Sequence, residues 1–308
     1  MQDSLFEESM DICFSPLTRV QDAIWISQNL FPKSALFNIG GYAVIHGSID
    51  QKILEKSIHV LLEKHNALRI KITEQTTENR LQFKKNNFSP IKFIDFSYEE
   101  SPEIKCKEWI ENNFEISAGL EDDFFTTALL QISDDKYYWY VKVHHLVADG
   151  FSLSLIFNQV SEIYNQISEN KYIDTATQYD FRNHIQEELS YLNSLKYEND
   201  EQFWLDKFRD NPEGVLFEKK SEYKDSHFSK RKEIVIPREL YNKIKISAKN
   251  NGISDFHYFL SLFYVLIQKL FQQNEFVIGI PLLNRNSRIS KNTIGAFLNI
   301  LPAMSVRL

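Results

Sequence analysis

Apolar and polar positions follow two periods along this chain. Residues 40–49 have the composition of a β-strand, and residues 50–64 carry apolar side chains at every third or fourth position, which predicts an amphipathic helix capped by Ser48 or Asp50. The runs 124–133 and 136–145 predict a β-hairpin closed by a short polar turn. After Gly150 the helical period returns, which predicts a helix over residues 152–167.

The remaining pattern continues the alternation of strands and helices. Further strands are predicted at residues 68–73, 80–85, 232–237 and 275–281, and further helices at residues 104–114, 181–207, 238–250 and 255–271, the last capped by Ser254. This order predicts an α/β protein, a two-layer α+β arrangement of two lobes. The first lobe is expected over residues 1–180, and residues 181–308 are expected to hold bridging helices and a second lobe.

Composition narrows the class of protein. The chain has 308 residues, 43% of them apolar, with a net charge of -7, so nothing favours nucleic acid or an anionic membrane as a partner. Cys13 and Cys106 form neither a metal-ligand spacing nor a disulfide framework, which favours a reducing cytoplasm. The acidic, mixed N-terminus is unlike a signal peptide and is expected to be a gene start, and no apolar run approaches 18 residues.

The candidate chemistry lies at the end of the second hairpin strand, in the sequence His-His-Leu-Val-Ala-Asp-Gly. Side chains of a strand alternate between two faces, so His144 and His145 are expected on opposite faces, with one of them in a cleft. Asp149 is expected on the turn, Gly150 allows a tight backbone there, and a helix N-terminus follows. A histidine beside free backbone donors suits transfer to a carbonyl group.

Other types of site fit this sequence less well. An isolated histidine in a strand is more often structural than functional, whereas the full spacing between a strand and a helix is more specific. A zinc site lacks a third ligand nearby, and the two imidazoles are expected to diverge. The chain has no nucleophile elbow, no phosphate-binding loop and no dinucleotide fingerprint.

Several segments resemble condensation domains of nonribosomal peptide synthetases, which belong to the chloramphenicol acetyltransferase-like superfamily. The central match is "VHHLVADGFS", the family's HHxxxDG motif. The further matches, in family order, are "LTRVQDAIWISQNL", in which Thr18 and Val20 depart from the usual lead, "EKHNALRIKI", "YDFRNHIQEE" with "FWLDKF", "VIGIPLLNR" and "IGAFLNILPAMSVR". The flanks of the central motif are similar to condensation domains of siderophore synthetases of the enterobactin type.

The resemblance implies a fold and a reaction. Two acetyltransferase-like lobes would form a V around a tunnel, with a carrier domain at each mouth. The α-amine of a carrier-bound aminoacyl acceptor would attack the thioester of a carrier-bound donor, and both substrates would arrive on phosphopantetheine arms with no bound cofactor and no metal. The implied partners are an upstream donor carrier, a downstream acceptor carrier and an adenylation domain.

The resemblance also implies roles for single residues. His145 would be the active-site histidine, as a base or as a positioning group, and the Gly150 N–H is a candidate oxyanion contact. Asp149 would pair with Arg285 and tie the turn to the second lobe, because a buried carboxylate requires a partner. His144 would hold the loop, and Arg69 would support the site through the motif backbone.

The chain departs from the family in length, and three functions stay open. The resemblance implies that the last third of the fold, with the floor strand of the donor tunnel, is absent, so the chain is either a fragment or a truncated gene product. It could be a condensation enzyme, an acyltransferase of the same superfamily that uses a CoA or carrier donor, or a non-catalytic module that docks carriers. The heterocyclising subtype is disfavoured by the paired histidines, whereas the epimerising subtype keeps the same motif.

Overall fold

The computed structural model describes residues 14–74, 79–84, 90–118, 123–174, 179–209 and 233–304. Short 3₁₀ helices lie at Asn66–Arg69 and Ser290–Asn292. The strands and helices, numbered in chain order, are β1 (Phe14–Pro16), α1 (Arg19–Leu30), β2 (Asn38–His46), α2 (Gln51–Lys64), β3 (Ile70–Glu74), β4 (Asn79–Phe83), β5 (Lys92–Asp95), α3 (Pro102–Phe114), β6 (Phe125–Ser133), β7 (Lys136–His144), α4 (Gly150–Ser168), α5 (Arg182–Leu192), α6 (Leu195–Lys207), α7 (Arg238–Asn250), α8 (Asp255–Phe271), β8 (Val277–Leu282) and β9 (Asn299–Met304).

The chain divides into two compact units. The first contains residues 1–197 and 283–299, and the second contains residues 198–282 and 300–308. The first unit includes α5 and the segment 283–299, which follows β8 in the chain. The boundary predicted at residue 180 stays a prediction. The identity of these units with the two predicted lobes stays a prediction.

The first unit is built on a four-stranded sheet with the order β2-β7-β6-β5. The predicted hairpin of β6 and β7 is confirmed and is antiparallel, as is the β2–β7 pair, whereas β5 runs parallel to β6. Alternate residues of β7 enter two separate cores. Trp139, Val141 and Val143 belong to the larger core, and Tyr138 and Tyr140 belong to a smaller one.

Helices α2 and α4 pack against each other within the larger core. As predicted, Asp50 caps α2: its side chain accepts hydrogen bonds from the N–H groups of Lys52 and Ile53. Helix α3 covers the smaller core, where the ring of Trp109 meets the ring of Tyr140 edge to face. A second sheet, with the order β1-β4-β3, completes the first unit.

The second unit contains α7, α8 and the two-stranded sheet of β8 and β9. Ser254 caps α8, as predicted, by accepting a hydrogen bond from His257 N–H. The Tyr264 hydroxyl donates to the carbonyl of Ala303 at 2.9 Å, which joins α8 to β9. Several large apolar side chains of α8 are exposed: Phe256, Phe259, Leu262, Phe263, Val265, Leu266 and Leu270.

Four predicted elements are corrected by the structure. Residues 233–237 of the predicted strand 232–237 make no strand, and the predicted helix 181–207 is two helices, α5 and α6, separated at Asn193–Ser194. The strand predicted over residues 40–49 ends at His46, because Gly47 has a φ of 93°. Residues 68–69 are 3₁₀ rather than strand. Of the predicted strand 80–85, Lys85 lies outside the described residues.

Candidate active site

The two histidines of the motif differ in their backbone settings. Strand β7 ends at His144, and His145 lies in the turn that follows it. The prediction that the two imidazoles lie on opposite faces assumed that both histidines belong to the strand. That assumption was wrong, because His145 follows the end of β7. Its N–H donates to the carbonyl of Phe37 at 2.7 Å, which fixes the turn against the segment before β2.

The His145 side chain is half-buried, and its Nδ1 atom has an unsatisfied hydrogen-bonding position. Nδ1 is shielded from solvent and makes no hydrogen bond within the described part of the chain. Buried polar atoms without a partner are rare, and they cluster where a protein awaits a ligand or water. Nε1 of Trp25 and Nε of Arg285 share this property, so the shielded Nδ1 does not by itself identify a binding site.

His144 is buried and structural. Its Nδ1 accepts a hydrogen bond from Leu146 N–H at 3.3 Å, and its Nε2 lies 3.2 Å from Oε1 of Gln28. These partners require the proton on Nε2. Burial, together with the nearby His145, lowers the pKa of His144 from 6.5 to about 4, so His144 is neutral at pH 7.

Helix α1 places two glutamines against this loop, which the sequence reasoning missed. Its buried residues are Gln21, Ile24, Trp25 and Gln28, a stripe with helical spacing. Gln21 closes a capping box with Thr18 and donates through Nε2 to the carbonyl of Leu146 at 2.9 Å. The sequence did contain a signal for this contact, namely two glutamines seven positions apart on the apolar face of a helix.

Asp149 is the N-cap of α4 and is fully buried. One carboxylate oxygen, Oδ1, accepts hydrogen bonds from Ser152 N–H and from the Ser152 hydroxyl, both at 2.8 Å. The other, Oδ2, accepts from Phe297 N–H at 3.2 Å. The carboxylate thus joins the start of α4 to the segment 283–299.

Arg285 completes the expected buried ion pair with Asp149. Its Nη2 lies 2.9 Å from Oδ1 and 3.0 Å from Oδ2, and the two side chains are 1% and 0% exposed. The guanidinium also stacks 4.0 Å from the ring of Phe297 and 5.0 Å from that of Phe151, while burial lowers its pKa. The pair joins the turn to the segment 283–299, and the expected tie to the second lobe stays a prediction.

A second histidine–glutamine pair anchors the same segment. His65 accepts a hydrogen bond from Ile294 N–H through Nδ1 at 3.2 Å, and its Nε2 lies 2.7 Å from Oε1 of Gln159. Burial lowers its pKa to about 4, so it is neutral at pH 7. The sequence offered no signal for this pair, because its members come from the residue after α2, from α4 and from a distant segment.

His184 of α5 is a further residue that the sequence reasoning missed. Its ring lies 4.3 Å from the ring of Phe297, beside the ion pair. Burial, and after it the charge of Arg285, lowers its pKa to about 4. The guanidinium of Arg285 therefore lies among neutral side chains, and the carboxylate of Asp149 compensates its positive charge.

Gly150 is the first residue of α4 and is exposed. Its φ is not positive, so the expected tight backbone is not the reason for a glycine here. A Cβ atom at this position would meet nothing within 4 Å, so the glycine leaves open space at the helix N-terminus. The first N–H groups of a helix have no partner inside the helix. Asp149 accepts from the N–H groups of Ser152 and Leu153, whereas those of Gly150 and Phe151 lie in the first turn, before the helical hydrogen bonds begin.

Arg69 lies apart from these residues. Its Nε donates to the carbonyl of Leu62 at 2.8 Å, and its Nη1 donates to the carbonyl of Lys84. These bonds fasten the 3₁₀ turn to α2 and to the end of β4. The expected bond to the motif backbone is not among the contacts of the described residues.

No three His, Cys, Asp or Glu side chains gather as a metal site within the residues that the structure describes. Nor does any helix in that part of the chain have the length and apolar character needed to cross a membrane.

Comparison with known proteins assigns the family. Residues 13–306 match the family model of the condensation domain. The dimodular nonribosomal peptide synthase of Bacillus subtilis (strain 168) is 25% identical over 296 residues, which are 96% of this chain and 12% of the relative. Surfactin synthase subunit 1 of the same organism is 25% identical over 298 residues, 95% of this chain and 8% of the relative. The chain thus spans about a tenth of the length of these curated relatives.

Solved structures agree on the fold. The first condensation domain of the CDA synthetase superposes with a TM-score of 0.80 at 21% identity, over 96% of this chain and 72% of that one. A variant of the starter condensation domain of rhizomide synthetase, in complex with C8-CoA, superposes with a TM-score of 0.72 at 18% identity, over 94% of this chain and 66% of that one.

The chain thus has the fold of condensation domains, and it carries the His-His-x-x-x-Asp-Gly loop between β7 and α4. The chain belongs to the condensation domain family of nonribosomal peptide synthetases, enzymes that form amide bonds between carrier-bound substrates. The expected family and fold class are confirmed. The similarity to siderophore synthetases stays a prediction.

Proposed function

We propose that this chain joins a donor acyl or aminoacyl group, held as a carrier thioester, to the α-amine of a carrier-bound aminoacyl acceptor. The observation that carries the proposal is the setting of His145. Its backbone and the residues beside it are held by hydrogen bonds, whereas its own Nδ1 is unsatisfied. The half-buried ring is thus held in place just before the N-terminus of α4, in a chain that matches the condensation domain family over residues 13–306.

The proposed reaction is an acyl transfer from sulfur to nitrogen. The acceptor nitrogen forms a bond to the thioester carbonyl carbon, the carbon–sulfur bond breaks, and the nitrogen proton passes to the departing thiolate. An α-amine has a pKa of about 7.7–8.0, so a fraction is already neutral at pH 7. His145 would therefore orient the amine and relay its proton to the departing thiolate, and a strong base is not required.

The oxygen of the tetrahedral intermediate carries the developing negative charge. The N-terminus of α4 supports a role here, because the Gly150 N–H is not used inside the helix and a side chain is absent from the space in front of it. We assign the Gly150 N–H as one oxyanion contact. Loss of a single contact of this kind costs about 10²–10³ in rate.

The other motif residues would act through structure. Asp149 and Arg285 hold the start of α4 to the segment 283–299, His144 holds the loop, and Arg69 supports the turn after α2. Substrates would arrive on the phosphopantetheine arms of an upstream and a downstream carrier, with an adenylation domain loading the acceptor. A cytoplasmic location stays a prediction.

A second donor type has an observation in its favour. A structural neighbour, the rhizomide starter domain, was solved with C8-CoA. A free acyl-CoA could therefore replace the donor carrier.

The test compares donors at equal concentration in the protein as encoded by its gene. Acceptor-loaded carrier is mixed with donor-loaded carrier or with acyl-CoA, and the amide product is followed by mass spectrometry. Amide formed only from the carrier-bound donor supports the proposal, and amide formed equally well from acyl-CoA supports the second donor type. Carrier binding without any amide would contradict both and leave a docking module.

A Gly150→Ala variant tests the oxyanion assignment. The new methyl group has open space, so stability should be retained, whereas the rate should fall because the methyl group fills part of the space beside the Gly150 N–H. Equal rates for variant and wild type would show that the reacting oxygen does not occupy this space.

A further inference from the structure

Two buried histidines of the first unit share one hydrogen-bonding arrangement. In each, Nδ1 accepts a backbone N–H, and Nε2–H meets the side-chain oxygen of a glutamine. Each neutral imidazole thus links a backbone segment to a helix through two hydrogen bonds. At His65 the segment is 283–299, and at His144 it is the loop that carries His145.

The orientation of Gln28 at the His144 pair is fixed by its other contacts. Its amide nitrogen donates to the carbonyls of Phe31 and Ser34 at 3.0 and 3.2 Å. Oε1 must therefore face His144, and it can only accept a hydrogen bond there. Consequently the Nε2 atom of His144 carries the proton, and Nδ1 is left as the acceptor for Leu146 N–H.

The next residues of the loop depend on that acceptor. Leu146 follows His145 directly, and its N–H has its partner in the ring of His144. The His145 N–H is held by Phe37, and the Leu146 carbonyl is held by Gln21. The bond from Leu146 N–H to the His144 ring therefore holds the peptide on the C-terminal side of His145.

We propose that Gln28 is a positioning residue for His145: it selects the His144 tautomer that holds the loop. The expected effect on the rate rests on the proposed function. The tautomer of His144 does not, because it can be observed directly. Sequence spacing alone could not assign this role, since Gln28 and His144 are 116 positions apart.

Few charges act on His144 and none of them opposes this assignment. The rings of Phe37 and Phe124 lie 6.0 and 5.2 Å from its ring. His145 is the titratable neighbour identified as acting on it, and its effect also lowers the pKa of His144. Lys142, two residues earlier on β7, directs Nζ to the carbonyls of Asn113 and Ile116.

The test replaces Gln28 with glutamate, which is nearly isosteric and can carry a charge. The carboxylate would stabilise the imidazolium form of His144. A protonated His144 has an N–H at both nitrogens and cannot accept from Leu146. We expect Gln28→Glu to form amide more slowly than wild type already at pH 8.5, because the carboxylate cannot donate to the carbonyls of Phe31 and Ser34. At pH 6.5 it should lose about a further 10–100-fold relative to wild type, as misplacement of a catalytic group does.

Nitrogen NMR of the His144 ring gives the second readout. Wild type should show a protonated Nε2 and an acceptor Nδ1 from pH 8.5 down to pH 5.5. Gln28→Glu should show both nitrogens protonated at pH 6.5. Gln28→Met, which removes the oxygen, should lose the single tautomer at every pH and show a loss of rate that does not depend on pH.

Two controls match the substitution. Asn29→Asp places the same charge one residue along on an exposed position of α1 and should change neither readout. Gln159→Glu makes the same exchange at the other pair and should protonate His65 while the ring nitrogens of His144 stay as in wild type.

The outcomes separate the two proposals. A neutral His144 in Gln28→Glu at pH 6.5, or a pH–rate profile equal to wild type, would overturn the role of Gln28. If His145→Ala keeps the wild-type rate in the same assay, the proposed function fails, and the NMR result alone then decides whether Gln28 sets the tautomer.

Discussion

The buried pair of Asp149 and Arg285 allows a prediction with a magnitude. Removing one member of a buried ion pair costs about 3–5 kcal/mol, because the other charge stays buried without its partner. In Arg285→Met the carboxylate keeps three hydrogen bonds, two from Ser152 and one from Phe297 N–H, so we expect a cost near the lower end, about 3 kcal/mol.

Asp149→Ala should cost more than Arg285→Met. The guanidinium would stay buried among carbonyl oxygens of the segment 283–299 and aromatic rings. The helix would also lose its N-cap, which is worth about 1 kcal/mol. We expect about 4–5 kcal/mol for this variant, and the double variant should cost about 2–3 kcal/mol less than the sum, since the two residues act on each other.

Urea unfolding of the four proteins measures these terms, with the transition of the first unit analysed by itself. Hydrogen exchange at the amides of Gly295 and Phe297 should quicken in both single variants, which assigns the loss to this segment. Lys105→Met, at an exposed pair in α3, serves as the control and should leave the unfolding curve nearly unchanged. Single variants that cost less than about 1 kcal/mol, or a double variant that equals the sum, would refute the reasoning.

Acid and steric effects give two more predictions. The buried His65 and His144 and the half-buried His184 each have a pKa of about 4 in the folded chain, against 6.5 for an unperturbed imidazole. The unfolded chain therefore binds more protons, and the free energy of unfolding should fall from pH 6.5 to pH 4 by up to about 1.4 kcal/mol per pH unit for each histidine. Urea midpoints across this range measure how the free energy of unfolding depends on pH. The His65→Gln variant should reduce this dependence by about a third, and a stability that does not change with pH would contradict the prediction. Gly40→Ala should lower the melting temperature sharply, because its Cβ would lie 2.3 Å from the carbonyl oxygen of Val141, while Gly41→Ala has open space and should not. Equal melting temperatures for these two variants would contradict this prediction and would show that β2 can shift to accommodate the new Cβ atom.

Secondary structure was predicted most accurately where several local sequence signals indicated the same element. Helix α2 has both an apolar stripe and an aspartate cap, and the β6–β7 hairpin has two β-rich runs around a polar turn. Residues 232–237 show the limit of such signals. Their composition is that of a strand, but a strand needs a neighbour to pair with, and residues 233–237 have none among the described residues.

The site was predictable in part. The motif located His145 and Asp149, and the resemblance supplied Arg285, because each lies in a short recognisable segment. The strand's end at His144 was not visible, since the alternation of side chains gives no signal for the residue at which pairing stops. Gln28 and His65 were missed because their partners are distant in sequence and their roles depend on tertiary contact.

The most direct measurement is the rate of amide formation in His145→Ala, in the protein as encoded by its gene and with both carriers loaded. His46→Ala, at an exposed position on β2, is the matched control. The account predicts a loss of about 10²–10⁴ for His145→Ala with carrier binding retained, and an unchanged rate for His46→Ala. A wild-type rate in His145→Ala would contradict the central claim that this side chain acts on the reacting amine.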